Sequence, residues 1–226
     1  MSGPRTGNQT TVEPEVRVVG DVAAAALDLF LEEAPATVVL TGGSTPRALY
    51  QRMAQLQGYP WEETEFFFSD ERCVPDTDPR SNFRMAHRAL LSKIPSPRHP
   101  IDGESCDADG YEATLRERFG DRPWFDLALY GLGPDGHTAS LFPGKPEVDE
   151  AERWAVEVPE AGWEPFVKRV SLTVPVLSSA TVGVFLVTGA QKREPLRRLL
   201  EGEDIPAARV EPKRLVVIAD KAAAAK

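Results

Sequence analysis

The residues best suited to chemistry share one turn. Asp135-Gly136-His137 sets an imidazole two positions from a carboxylate, inside the glycine-rich run 131–136. A histidine beside an acid can be tuned to move protons near neutral pH. The chain has only three histidines. His87 falls inside a helical segment and His99 precedes a proline, so both read as structural. No second His or Cys stands at ligand spacing from His137, and no metal is expected. Gly131, Gly133 and Gly136 also match GxGxxG. Here Pro134 and Asp135 fill the turn, and Phe142-Pro143-Gly144 cuts short the long helix that a dinucleotide site uses, so no nicotinamide or flavin is expected. No Gly-x-Ser-x-Gly elbow occurs, so a covalent serine hydrolase is not signalled.

Other clusters suit an anion. In Gly42-Gly43-Ser44-Thr45-Pro46 the glycines let the backbone approach a ligand, and free N–H groups at a helix N-terminus bind phosphate. Ser44 or Thr45 would equally serve as an ordinary helix cap. No Gly-Lys-Ser/Thr is present, so this is not a Walker A loop. Arg72 can hold a phosphate or carboxylate and Asp70 sugar hydroxyls; the two would also satisfy one another as a local salt bridge. Ser81 and Asn82 are either ligands or the N-cap of the next helix. Arg84 adds positive charge, whereas Arg88 suits a solvated face. Lys192, in the turn 189–192, and Arg169, at the start of a strand, complete the candidates.

The elements that must position these residues alternate. Strands are expected over 16–19, 37–40, 65–69, 125–130, 169–176, 182–187 and 215–219. Helices are expected over 21–33, 47–56, 82–94, 111–119 and 191–200. Such alternation predicts an α/β fold, a Rossmann-like, mostly parallel sheet with helices on both faces. Ligands bind such sheets beyond the carboxyl ends of the strands. The segments 41–45, 69–72, 131–137 and 189–192 each follow a strand, so four polar turns are expected on one rim.

Composition narrows the class. The chain has 226 residues, 42% of them hydrophobic, and a net charge of −9. An acidic surface argues against nucleic-acid partners and makes any anionic substrate depend on a local basic pocket. No apolar run reaches the length of a membrane span. Residues 1–14 read as a polar, disordered leader without a signal core, and 15–226 as one α/β domain. Cys73 and Cys106 form no CxxC and are expected as reduced thiols in a cytoplasmic protein. A monomer or weak homodimer is expected.

Taken together, the segments 40–46, 69–75 with Ser81-Asn82, 125–144 and 187–192 resemble the 6-phosphogluconolactonase family, in the family's order. The run Asp135-Gly-His-Thr-Ala-Ser-Leu-Phe-Pro-Gly144 is long and specific. Residues 215–225 match more loosely, with Ile218 where related chains often carry tryptophan. The resemblance implies the fold shared by glucosamine-6-phosphate deaminases, ribose-5-phosphate isomerases and CoA transferases. It implies no metal and no organic cofactor. The implied reaction is hydrolysis of 6-phospho-D-glucono-1,5-lactone in the oxidative pentose phosphate pathway. His137 would be the general base, with Asp135 orienting the imidazole or the water. Arg72 would face the carbonyl or the phosphate, and Gly133 would shape the turn and count among the substrate-binding residues. The deaminases and isomerases carry Asn-Glu where Leu141-Phe142 stand here, and so have a carboxylate that this chain lacks. A non-catalytic sugar-phosphate-binding domain is the remaining alternative.

Overall fold

The computed structural model describes residues 13–225. The leader expected over residues 1–14 lies, up to residue 12, outside them. The strands are β1 Glu15–Val19, β2 Thr37–Leu40, β3 Glu65–Phe68, β4 Asp70–Arg72, β5 Phe125–Tyr130, β6 Ala155–Val158, β7 Arg169–Leu172, β8 Ala180–Val187 and β9 Arg214–Asp220. The helices are α1 Val22–Glu33, α2 Ser44–Met53, α3 Asn82–Ala86, α4 Ala108–Phe119, α5 Val174–Leu177, α6 Arg193–Leu200 and α7 Lys221–Ala224. A π-helical turn, His87–Leu91, continues α3.

Six strands form a parallel sheet in the order β1-β9-β8-β5-β2-β3. Its central strands are apolar on both faces, as a parallel sheet covered by helices requires: every residue of Thr37–Leu40 is buried. Short polar side chains start the helices by accepting otherwise unpaired N–H groups. Asp21 accepts from the Ala24 N–H, Ser81 from Arg84 and Asp107 from Gly110.

Two buried tyrosines hold the carboxyl ends of neighbouring strands. The Tyr50 hydroxyl donates to the Thr41 carbonyl and accepts the Thr41 N–H, both at 2.9 Å. Tyr111 does the same for Phe68, at 3.0 and 2.9 Å. Each satisfies backbone groups where the ladder stops, which would otherwise be buried without partners. The loops beyond Leu40 and Phe68 therefore start from fixed positions.

Three features differ from expectation. A second sheet, β4-β7-β6, is antiparallel; β4 and β6 were not foreseen because they are short and show no clean alternation. The strand expected over 169–176 ends at Leu172, because Pro175 in Val174–Leu177 favours a helical turn and cannot donate to a ladder. Cys73 and Cys106 are joined in a disulfide, which corrects the expected free thiols. Tertiary packing brings them together: a Cβ on Gly103 would lie 2.6 Å from the carbonyl oxygens of Arg72 and Val74, so residues 102–106 pack closely on the end of β4.

Candidate active site

The carboxyl ends of β2, β3, β5 and β8 open onto one cavity of about 390 Å³. The four polar turns meet there, as parallel-sheet geometry leads one to expect. Of the residues singled out in the sequence, Gly42, Gly43, Asp70, Arg72, Asn82, Gly133, His137, Arg169 and Lys192 line it.

His137 is held on several sides. Asp135 Oδ1 lies 2.6 Å from the ring Nδ1 and accepts the His137 backbone N–H at 3.1 Å. An ionised carboxylate only accepts, so Nδ1 carries the proton in this contact and Nε2 is left with the lone pair. The ring packs on Phe142, centroids 4.7 Å apart. A Cβ on Gly133 would fall 2.1 Å from Nδ1, so the turn needs glycine to admit the imidazole. Burial pushes the Asp135 carboxyl up, but the hydrogen bond and charge of His137 bring it net below its ordinary range.

The opposite wall comes from the small sheet. Arg169 is 2% exposed. Its Nη2 donates to the carbonyls of Trp163 and Pro165, at 2.9 and 3.0 Å, and Nη1 to Ser140 Oγ at 3.4 Å. Its guanidinium lies over the Phe142 ring. Arg72 Nη1 donates to the Arg80 carbonyl at 2.6 Å. The Nε atoms of both arginines are buried without a partner among the described residues. Such orphan donors are costly and rare, and two on one cavity mark a place for an acceptor-rich ligand. Burial pulls Arg169 down from its ordinary value; Asp70 pushes it back and Arg72 pulls further. The two guanidiniums thus feel one another.

Asp70 holds this wall together. Its Oδ2 accepts from Ser140 Oγ at 2.6 Å, and Oδ1 from Ser69 Oγ at 3.0 Å and Asn82 Nδ2 at 3.2 Å. Asn82 also closes on the Gly42-Gly43 loop: a Cβ on Gly42 would lie 2.1 Å from its Oδ1. Lys192 Nζ donates to the Leu132 carbonyl, tying the turn after β8 to the histidine turn. Burial pulls the Lys192 amine below its ordinary value, partly opposed by Asp135.

Other candidates sit elsewhere. Ser44 and Thr45 open α2 beside the cavity, and the Thr45 hydroxyl is paired with that of Thr188 at 2.7 Å. Ser81 caps α3 and donates to the buried Glu71 at 2.9 Å. Burial pushes the Glu71 carboxyl up, against backbone N–H donors from Phe83, Asn82 and Arg72. Arg84 faces a separate cavity with Arg47 and Arg88. His99 stacks on Phe67 and His87 lies against Phe83, so neither joins the site. Sequence reasoning missed Trp163, Glu164, Ala139 and Gln191, which also line the cavity. Trp163 and Glu164 lie between β6 and β7, in a stretch with no periodicity to flag it.

Among the described residues no group of His, Cys, Asp and Glu could hold a metal ion, and no helix is long and apolar enough to cross a membrane.

Comparison with known proteins places this geometry in context. Residues 12–219 match the family model described as glucosamine-6-phosphate isomerases/6-phosphogluconolactonase. The chain is similar to a 6-phosphogluconolactonase of Synechocystis, 39% identical over 186 residues, covering 77% of this chain and 75% of the relative. It is similar to that of Thermotoga maritima, 37% identical over 183 residues, covering 80% and 81%. Its fold superposes on the solved 6-phosphogluconolactonase of Trypanosoma cruzi with a TM-score of 0.86 and 29% identity, over 96% of this chain and 98% of that one.

Proposed function

The chain belongs to the glucosamine-6-phosphate isomerase/6-phosphogluconolactonase family, and we propose that its cavity hydrolyses 6-phospho-D-glucono-1,5-lactone to 6-phospho-D-gluconate, as in the oxidative pentose phosphate pathway. The observation that carries this reading is a carboxylate-bound imidazole on the same cavity as two arginines whose buried Nε atoms have no partner among the described residues. The first supplies proton transfer and the second a seat for anionic oxygens.

In this mechanism the substrate phosphate lies against Gly42, Gly43 and the first backbone N–H groups of α2. Arg72, Arg169 and Lys192 supply local positive charge at the cavity of a chain that is acidic overall. His137 Nε2 takes a proton from water as its oxygen attacks C1. Asp135 holds the ring through Nδ1 and stabilises the imidazolium. A guanidinium or backbone N–H stabilises the oxyanion. Collapse breaks C1–O5, and the proton on Nε2 passes to O5, so one histidine serves as base and then as acid.

A deaminase or isomerase is disfavoured because Leu141 and Phe142, 0% and 1% exposed, are core residues where the extra carboxylate would be needed. A non-catalytic binding domain is disfavoured by the intact His137–Asp135 pair. The deciding experiment is hydrolysis of freshly generated lactone, with glucosamine-6-phosphate deamination as control. Deamination without lactone hydrolysis would refute the proposal. A cytoplasmic location and a monomer or weak homodimer belong to the same reading. A reducing compartment would open the Cys73–Cys106 bond, so thiol titration of protein isolated without reductant tests the location: two free thiols support it and none overturns it.

A further inference from the structure

The arginine that the lactone pocket leaves unused points to a second site. Arg84 lines a cavity of about 280 Å³ with Arg47, Gln51, Pro79, Met85 and Arg88. The arginines come from two adjacent elements: Arg47 from α2, and Arg84 and Arg88 from α3 and its π-helical turn. Several arginines on this acidic chain are matched by carboxylates, as Arg153 is by Asp109, Arg197 by Glu194 and Arg214 by Glu15. The guanidiniums of Arg47, Arg84 and Arg88 have no such ion pair among the described residues. Asp78, which Arg80 already engages through Nε at 2.9 Å and Nη2 at 2.7 Å, interacts with Arg84 only through space. Three cations left together in a protein of net charge −9 repel one another unless an anion joins them.

We propose that this cavity is a second anion site, one that takes the phosphate group of a small metabolite. Arginine is suited to this because its planar fork meets phosphate oxygens in pairs. The cavity's size and the half-buried Arg84 favour a compact ligand over a flat docking surface. The site is also wired to the lactone pocket. Arg47 lies one turn beyond Gly43, whose carbonyl accepts the Arg47 N–H at 3.2 Å. Arg84 lies two residues beyond Asn82. Gly43 and Asn82 both line the lactone pocket. An anion drawing α2 and α3 together therefore acts on the loop proposed to seat the substrate phosphate.

The test is calorimetric titration of the full chain with inorganic phosphate, pyrophosphate and glucose 6-phosphate. Wild type is compared with Arg47→Ala/Arg88→Ala and with Arg72→Ala/Lys192→Ala, which weakens the lactone pocket. The expected result is one remaining binding event in the pocket variant. In Arg47→Ala/Arg88→Ala that event weakens by about tenfold or more, the effect of losing two charge-assisted contacts, while lactone turnover without added ligand is unchanged. Inorganic phosphate and glucose 6-phosphate distinguish a free ion from a monoester. Equal binding by wild type and Arg47→Ala/Arg88→Ala would overturn the proposal. So would binding of a polyglutamate peptide with no response to any phosphate, since that would mark a protein-docking face.

Discussion

The two sheets build opposite walls of one cavity by different means. The parallel sheet delivers its residues in short contiguous turns at strand ends: Gly42-Gly43 after β2, the Asp135–His137 turn after β5 and Lys192 after β8. These turns are shaped by backbone, by glycines that admit a neighbouring side chain. The small antiparallel sheet delivers Asp70, Arg72 and Arg169 from within strands. There Arg72 and Arg169 are direct cross-strand partners, and Asp70 faces Ser171. That wall is shaped by side chains bonding one another. The first wall is suited to chemistry and close approach, and the second to charge. Function should therefore divide the same way, with turnover following the parallel sheet and binding and stability following the small one.

The largest effect expected is from His137→Ala, which should lower kcat by about 10²–10⁴-fold, the usual worth of a general base, with phosphogluconate binding and thermal stability nearly intact. Gly133→Ala should approach the same loss by displacing the ring. A large fall in stability in either would break the division. Across the cavity, Arg169→Ala should cost about 3–5 kcal/mol of stability, because it strands the buried Asp70–Ser140 network. Chemical denaturation reads this out, and an unchanged midpoint would show that the small sheet does not depend on its arginine. Arg72→Ala, with fewer bonds to lose, should mainly raise KM if it grips phosphate, but mainly lower kcat if it faces the carbonyl.

A smaller effect tests how the walls are anchored. Replacing both Cys73 and Cys106 by Ser should cost about 2–4 kcal/mol under non-reducing conditions and make the midpoint insensitive to reductant. Smaller again is the pH response of Asp135→Asn. Asp135 is held below its ordinary value in the folded state, so it adds stability above its unfolded pKa and loses it as pH falls through the folded one. The stability gap between wild type and Asp135→Asn should be full near neutrality and close below about pH 4. A gap that widened with acid would mean the carboxylate is not the partner of a charged or donating His137.

Much of this was legible in one dimension. The alternation of elements gave the parallel sheet, because buried parallel strands are continuous apolar runs and their helices are capped by short polar side chains. The histidine turn was legible because glycines, carboxylate and imidazole are neighbours in sequence. Ser81 was readable as a cap for the same local reason. Trp163, Glu164 and the burial of Arg169 were not readable. They depend on β6 and β7 folding back onto β4, a pairing across nearly a hundred residues that no local period encodes.

The sequence by itself determined the class of fold, the histidine turn and the family, since these rest on local propensity and contiguous motifs. Tertiary structure decided three things. It bonded Cys73 to Cys106, it buried the Nε donors of Arg72 and Arg169 without partners beside the histidine turn, and it turned Arg84 away to a cavity shared with Arg47 and Arg88. The physical reason is the same in each case. Whether a charge or a thiol finds a partner depends on which distant segment packs against it, and that is fixed only when the chain has folded.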